Sequence, residues 1–143
     1  MKPIFKTVPH SSADWRAAVT LREEVLRKPL GERFTAEELE AEKNHIHIIG
    51  LINEELVATA VLVPEASKLK MQRVAVSHQY RNLEIGSQMM KFCESYATSI
   101  GVNILYCHAR DSAVNFYLKN GYNSVGDYFD EDGIPHLIMY KSI

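Results

Sequence analysis

Apolar residues fall along this chain in two rhythms, and their alternation lays out the elements before any composition is considered. Ile4 to Val8 predicts a short strand, and Ser11 with Asp14 three residues later forms a capping box for a helix. Trp15, Ala18, Val19, Val25 and Leu26 then recur at helical spacing on one face until Pro29 and Gly31 stop the run. Arg22 shares that face, either snorkelling to water at its rim or pointing into a site. Thr35 with Glu38 is a second capping box, opening a Glu-rich helix to about Glu42 that serves as a solvated face or lid. The runs His45 to Leu51, Leu56 to Val63 and Lys68 to Val76, joined by short turns, predict an antiparallel meander.

Beyond the meander the period lengthens. Ile85, Met89, Phe92, Cys93, Tyr96 and Ile100 recur at three and four and end at Gly101, which predicts an amphipathic helix with a glycine stop. A strand (Asn103 to Ala109), a helix (Ser112 to Asn120, closed by Gly121) and two strands (Tyr122 to Phe129, Pro135 to Lys141) around Asp132-Gly133 complete the reading. Strand and helix alternating after a meander predict one α/β (α+β) domain over residues 1–143, a mixed sheet with helices on both faces.

At 143 residues, 46% of them hydrophobic, the chain is long enough for one core and too short for two full domains. Sixteen Lys plus Arg against eighteen Asp plus Glu leave a formal charge of -2, so a generic nucleic-acid binder is disfavoured. Cys93 and Cys107 sit in apolar stretches, too few for a disulfide scaffold and suited to buried thiols in a reducing cytosol. With no run near the ~18 apolar residues of a membrane span and no signal-peptide h-region, the expectation is a soluble, unprocessed cytoplasmic protein with no membrane partner.

The chemistry concentrates where a strand ending at Val76 passes through Arg81 and Asn82 to Gly86-Ser87 at the start of the long helix. Free N–H groups at a helix start, a glycine and an arginine make an anion site, yet neither a Walker loop nor GxGxxG is present. The stretch Arg81-Asn82-Leu83-Glu84-Ile85-Gly86 resembles the phosphate loop of the GNAT superfamily of acyl-CoA-dependent N-acetyltransferases: Arg or Gln, two residues, Gly, one residue, Gly or Ala. Glu84 stands where that pattern has its first Gly, and its charge either points outward or opposes a bound pyrophosphate. Ala113 to Tyr122 resembles the family's helix ending in Tyr, three residues, Gly and an aromatic; Arg110 stands where Asn is frequent. The Gly133-Ile134-Pro135-His136 tail resembles the ElaA-like branch.

This resemblance implies acetyl transfer from acetyl-CoA to a primary amine by direct attack, with no metal, in a monomer or homodimer. The acceptor is a small molecule or a protein amine. Its alternative is an acyl-CoA-binding sensor or interaction module of the same fold without turnover. The cofactor would lie between the strands Lys68 to Val76 and Asn103 to Ala109, held by Val74, Ala75, Val76, Arg81, Asn82, Leu83, Glu84, Ile85, Gly86, Ser87, Arg110, Asn115 and Phe116. A bulge around Arg73 to Val76 would free N–H groups for the oxyanion. Tyr117 would protonate the leaving thiolate; read without the family it is a buried tyrosine beside Phe116. The family's strand glutamate falls near Gln72, which cannot act as a base. His47, Glu24, Asp127, Glu131 or water remain for that role, with His108 and His136 ambiguous and His45 with His47 a possible metal pair lacking a third ligand.

Overall fold

In the computed structural model, which describes residues 2–143 apart from the side chain of Asn82, the predicted rhythms become a seven-stranded mixed sheet. In chain order the elements are β1 (Ile4–Val8), α1 (Ala13–Arg22), α2 (Ala36–Ala41), β2 (Ile46–Ile52), β3 (Glu55–Glu65), β4 (Lys68–Val76), α3 (Ile85–Ser99), β5 (Ile104–Arg110), α4 (Val114–Lys119), β6 (Asn123–Glu131) and β7 (Ile134–Ser142). Strand order is β1-β2-β3-β4-β5-β7-β6, and every pairing is antiparallel except β4 with β5. A parallel pair needs a crossover, and α3 provides it.

Two of the three two-residue hairpin turns follow from paired positive φ angles. Asn53 and Glu54 (48° and 69°) join β2 to β3, and Asp132 and Gly133 (55° and 76°) join β6 to β7, so each turn twists with its strands. The sheet is apolar on both faces. Ile48, Leu62, Leu69, Met71, Leu105 and Cys107 pack with α3 and α4 on one side, and Ile49 packs with Val8, Trp15 and Ala18 on the other.

Three expectations about the first helix change. Ser12, not Ser11, is the N-cap, its hydroxyl accepting from the Trp15 N–H at 3.1 Å, because Ser11 takes a left-handed φ of 70° outside the helix. The apolar stripe also divides: α1 passes at Glu23–Arg27 into a π-helical turn, which rotates Val25 and Leu26 off the core and onto a cleft. Arg22, expected at a wet rim or in a site, is 1% exposed and paired with buried Glu42 at 2.5 Å. The capping box of α2 forms as expected, Thr35 and Glu38 exchanging both hydrogen bonds.

Candidate active site

The site begins with a defect in β4. Arg73 takes a left-handed φ of 53°, and the register against β3 slips between Thr59 and Val61, so β4 carries an extra residue there. On the other edge, β4 pairs with β5 only from Leu69 to Met71, against Leu105 to Cys107. Past that last rung the strands part, and β5 continues with β7 alone. A cleft of about 920 Å³ opens in the gap, and the backbone of Val74, Ala75 and Val76 lines it without a strand partner on that edge.

The N-terminus of α3 closes one end. Arg81, Glu84, Gly86 and Ser87 reach the cleft wall, so the first N–H groups of a 15-residue helix and one guanidinium face the same space. Arg81 also donates from Nε to the Val76 carbonyl at 3.3 Å. Glu84 adopts φ 58°, a conformation that favours glycine, and its exposed carboxylate pairs with Lys119 at 3.3 Å, both residues standing at the cleft wall. Gly86 is explained by packing: a Cβ there would stand 3.0 Å from the Phe116 ring, so the residue lets α3 close on α4. Leu83, Ile85 and Asn115 are not brought to the cleft wall: Leu83 and Asn115 are exposed, and Ile85 is buried in the core. The side chain of Asn82 lies outside the described residues.

Tyr117 forms the cleft floor. It is 5% exposed, between Phe116 and Tyr122, with Cys107 beside it. Burial, with the neighbouring Cys107 adding to it, pushes the phenol well above its ordinary pKa, so it remains a neutral donor. Burial likewise pushes the Cys107 thiol up to about 12, against the pull of Tyr117 and Lys70. Both cysteines are free and buried, as expected.

Of the residues the sequence left open for a base, Glu131, His108 and His136 line the cleft. His108 Nδ1 stands 2.9 Å from Glu131 Oε1, while His136 Nε2 stands 3.5 Å from Oε2 and its Nδ1 donates to the Ile134 carbonyl at 2.8 Å. Burial raises the Glu131 carboxyl, but the His108 hydrogen bond and the charges of His108, His136 and Lys70 outweigh it and hold the group below its usual range. The sequence points to these three residues singly and not as a cluster, because they lie on three different strands. His47 is excluded from the cleft: it lies 4% exposed beside His10 and Trp15, its Nε2 donating to the Glu42 carbonyl at 2.9 Å. That bond also separates its role from His45, and burial lowers the pKa of both. Glu24, paired with Lys28, and exposed Asp127 also lie off the cleft wall.

The opposite wall is a charged strap from Val25 to Glu42. Arg22 and Arg73 both bind Glu42, Arg27 binds Glu38 at 2.7 Å, and all three guanidinium groups stand over the Phe34 ring at 4.1 to 5.1 Å. Arg110, expected at the cofactor, lies in this wall and donates to the Leu26 carbonyl at 2.9 Å.

Residues 17–143 match the family model described as acetyltransferase (GNAT) domain. The chain is 34% identical over 101 residues to Protein ElaA of Escherichia coli K12, covering 68% of this chain and 66% of ElaA. It is 34% identical over 83 residues to the uncharacterized N-acetyltransferase YitI of Bacillus subtilis, covering 57% and 56%. The chain thus spans between about half and two thirds of the length of these curated relatives. Among solved structures, E. coli ElaA superposes with a TM-score of 0.80 at 26% identity, over 99% of this chain and 100% of that one. An aminoglycoside 6'-N-acetyltransferase complexed with coenzyme A gives 0.81 at 18% identity over 97% and 96%, a likeness of fold. Among the described residues no helix is long and apolar enough to cross a membrane, and no cluster of three or more metal-ligating side chains forms.

Proposed function

The chain belongs to the GNAT acetyltransferase family, and on that premise we propose that it moves an acetyl group from acetyl-CoA to a primary amine by direct attack. The observation that carries this reading is the parting of β4 and β5 at the Arg73 bulge, with the α3 N-terminus at one end and Tyr117 at the floor. The donor set suits the ligand: helix N–H groups and Arg81 match a pyrophosphate, and the unpaired edge from Val74 to Val76 matches the amides of a pantetheine arm. Coenzyme A bound to the aminoglycoside acetyltransferase of the same fold supports the same donor. Acetyl-CoA supplies the acyl group as a thioester.

In this reading the freed N–H groups of β4 meet the oxyanion that develops at the thioester carbonyl. They are fixed by the strand before reaction, so little reorganisation is needed. Tyr117, held neutral by burial, gives its phenolic proton to the departing sulfur. Lys119 pairs with Glu84 at the cleft wall and offsets its charge, which favours a working donor site over a module that has lost it.

The test is amine-dependent thiol release in the presence of acetyl-CoA, read beside the melting temperature. Acetyl-CoA raises the melting temperature if it binds the folded chain, and thiol release above the hydrolysis background then marks turnover. Binding without amine-dependent release would instead assign a sensor. Tyr117→Phe should keep the stabilisation and lower kcat by roughly 10²-fold. A parental kcat would remove Tyr117 from the proton transfer.

A further inference from the structure

An amine must shed a proton to become an amide, and the position near Gln72 where the resemblance puts a base carries a carboxamide. The strand register supplies a neighbour. The last shared rung of β4 and β5 is Met71 with Cys107, so the next residues are Gln72 and His108, where the strands begin to part. Met71 and Cys107 belong to the core under α3, and alternation therefore turns Gln72 and His108 to the opposite face. His108 lines the cleft with its side chain 25% exposed, and Phe129 packs edge-on to the ring at 5.2 Å.

The hydrogen bonds assign the ring's protons. An ionised carboxylate only accepts, so the 2.9 Å contact with Glu131 Oε1 places the His108 proton on Nδ1 and leaves the Nε2 lone pair without a partner among the described residues. His136 holds the other carboxylate oxygen from β7. The charged and titratable groups facing this pair are Lys70 from β4, Glu131 from β6 and His136 from β7. Orientation of an imidazole by a carboxylate, with the far nitrogen free, is the arrangement a general base requires.

Resting on the acetyl-transfer reading, we infer that His108 is the general base, accepting the amine proton at Nε2, and that Glu131 is a positioning residue that fixes its tautomer. The atoms balance. The amine nitrogen bonds to the carbonyl carbon and the carbon–sulfur bond breaks. An acceptor that arrives as an ammonium gives one proton to His108 Nε2, which passes it to bulk water; the sulfur takes the Tyr117 proton, and the nitrogen's second proton returns through water to Tyr117.

Two measurements test this, and the first needs no acceptor. Long-range ¹⁵N–¹H spectra of the imidazoles should show His108 with Nδ1 protonated and Nε2 bare, and Glu131→Gln should shift that tautomer. A protonated Nε2 in neutral His108 overturns the assignment. The second uses n-butylamine and benzylamine as acceptor probes with acetyl-CoA. His108→Gln should retain stabilisation by acetyl-CoA yet lose about 10²-fold or more in kcat/KM at pH 7, the deficit shrinking as rising pH deprotonates the amine. Glu131→Gln should lose less, with the same pH trend. A parental rate in His108→Gln, or a deficit that pH leaves unchanged, overturns the base. A parent protein that acetyl-CoA fails to stabilise instead overturns the acetyl-transfer reading beneath it.

Discussion

On the α3 side of the cleft, the wall is made of backbone: a helix start, a bulged strand, and a glycine that lets α3 meet Phe116. On the α1 side it is made of charges, with Arg22, Arg27 and Arg73 around Phe34 and tied to Glu38 and Glu42. The first wall offers hydrogen-bond donors whose places are set by local conformation. The second holds its shape through ion pairs between residues 20, 11 and 31 positions apart. Arg73 belongs to both, because its backbone makes the bulge and its side chain is gripped by Glu42 and Glu38. The strap on the α1 side is thereby anchored to the strand proposed to bind the acyl donor.

Cutting that anchor should have the largest effect. Glu42→Ala strands the Arg22 guanidinium, whose pKa burial already lowers against the pull of Glu42, and should cost about 3–5 kcal/mol in urea unfolding. An Arg22→Met, Glu42→Leu pair should recover most of that loss, since apolar side chains of similar volume need no partner. If Glu42→Ala unfolds like the parent, the strap does not depend on this pair.

A milder break uses pH. The Arg27 hydrogen bond, with the Thr35 N–H and the nearby arginine charges, holds Glu38 at about 2 against the opposing effect of burial. A depressed carboxyl contributes fully above its unfolded pKa of about 4.3 and loses that contribution as pH falls toward 2. Allowing for its partial exposure, this amounts to about 1–2 kcal/mol. Glu38→Gln keeps the capping box while removing the charge, so its unfolding free energy should change less between pH 5 and pH 2 than the parent's. Parallel curves for the two proteins would place the acid sensitivity elsewhere.

The smallest change sharpens the contrast from the backbone side. Glu84→Gly relieves a left-handed φ and should stabilise the fold by about 1 kcal/mol, although the Lys119 pair is lost. Because Lys119 already offsets the carboxylate, affinity for coenzyme A should rise only a few-fold by isothermal titration, and the gain should shrink at high salt. A tenfold or larger increase would mean that Glu84 opposes the phosphates directly.

The same division explains what could be read in advance. Elements whose cause is local were legible: the α2 capping box, the Gly101 stop after α3 and the Asp132-Gly133 turn all stand where the residues put them. So were the cleft residues tied to a backbone motif, namely Val74 to Val76, Arg81, Gly86 and Tyr117. Leu83, Ile85 and Asn115 were carried along by proximity within those motifs, and a helix turns alternate neighbours away from any one surface.

By itself the sequence determined the order of strands and helices, the loop at the α3 N-terminus and the tyrosine that follows it, because periodicity, caps and φ preferences act over a few residues. Only the tertiary structure decided the rest. It buried Arg22 against Glu42, turned Val25 and Leu26 into the cleft through a π-helical turn, and gathered His108, Glu131 and His136 from three strands. Such contacts depend on which strands become neighbours and where a parallel pair parts. Sheet pairing sets both across the whole chain, and no short window of residues contains it.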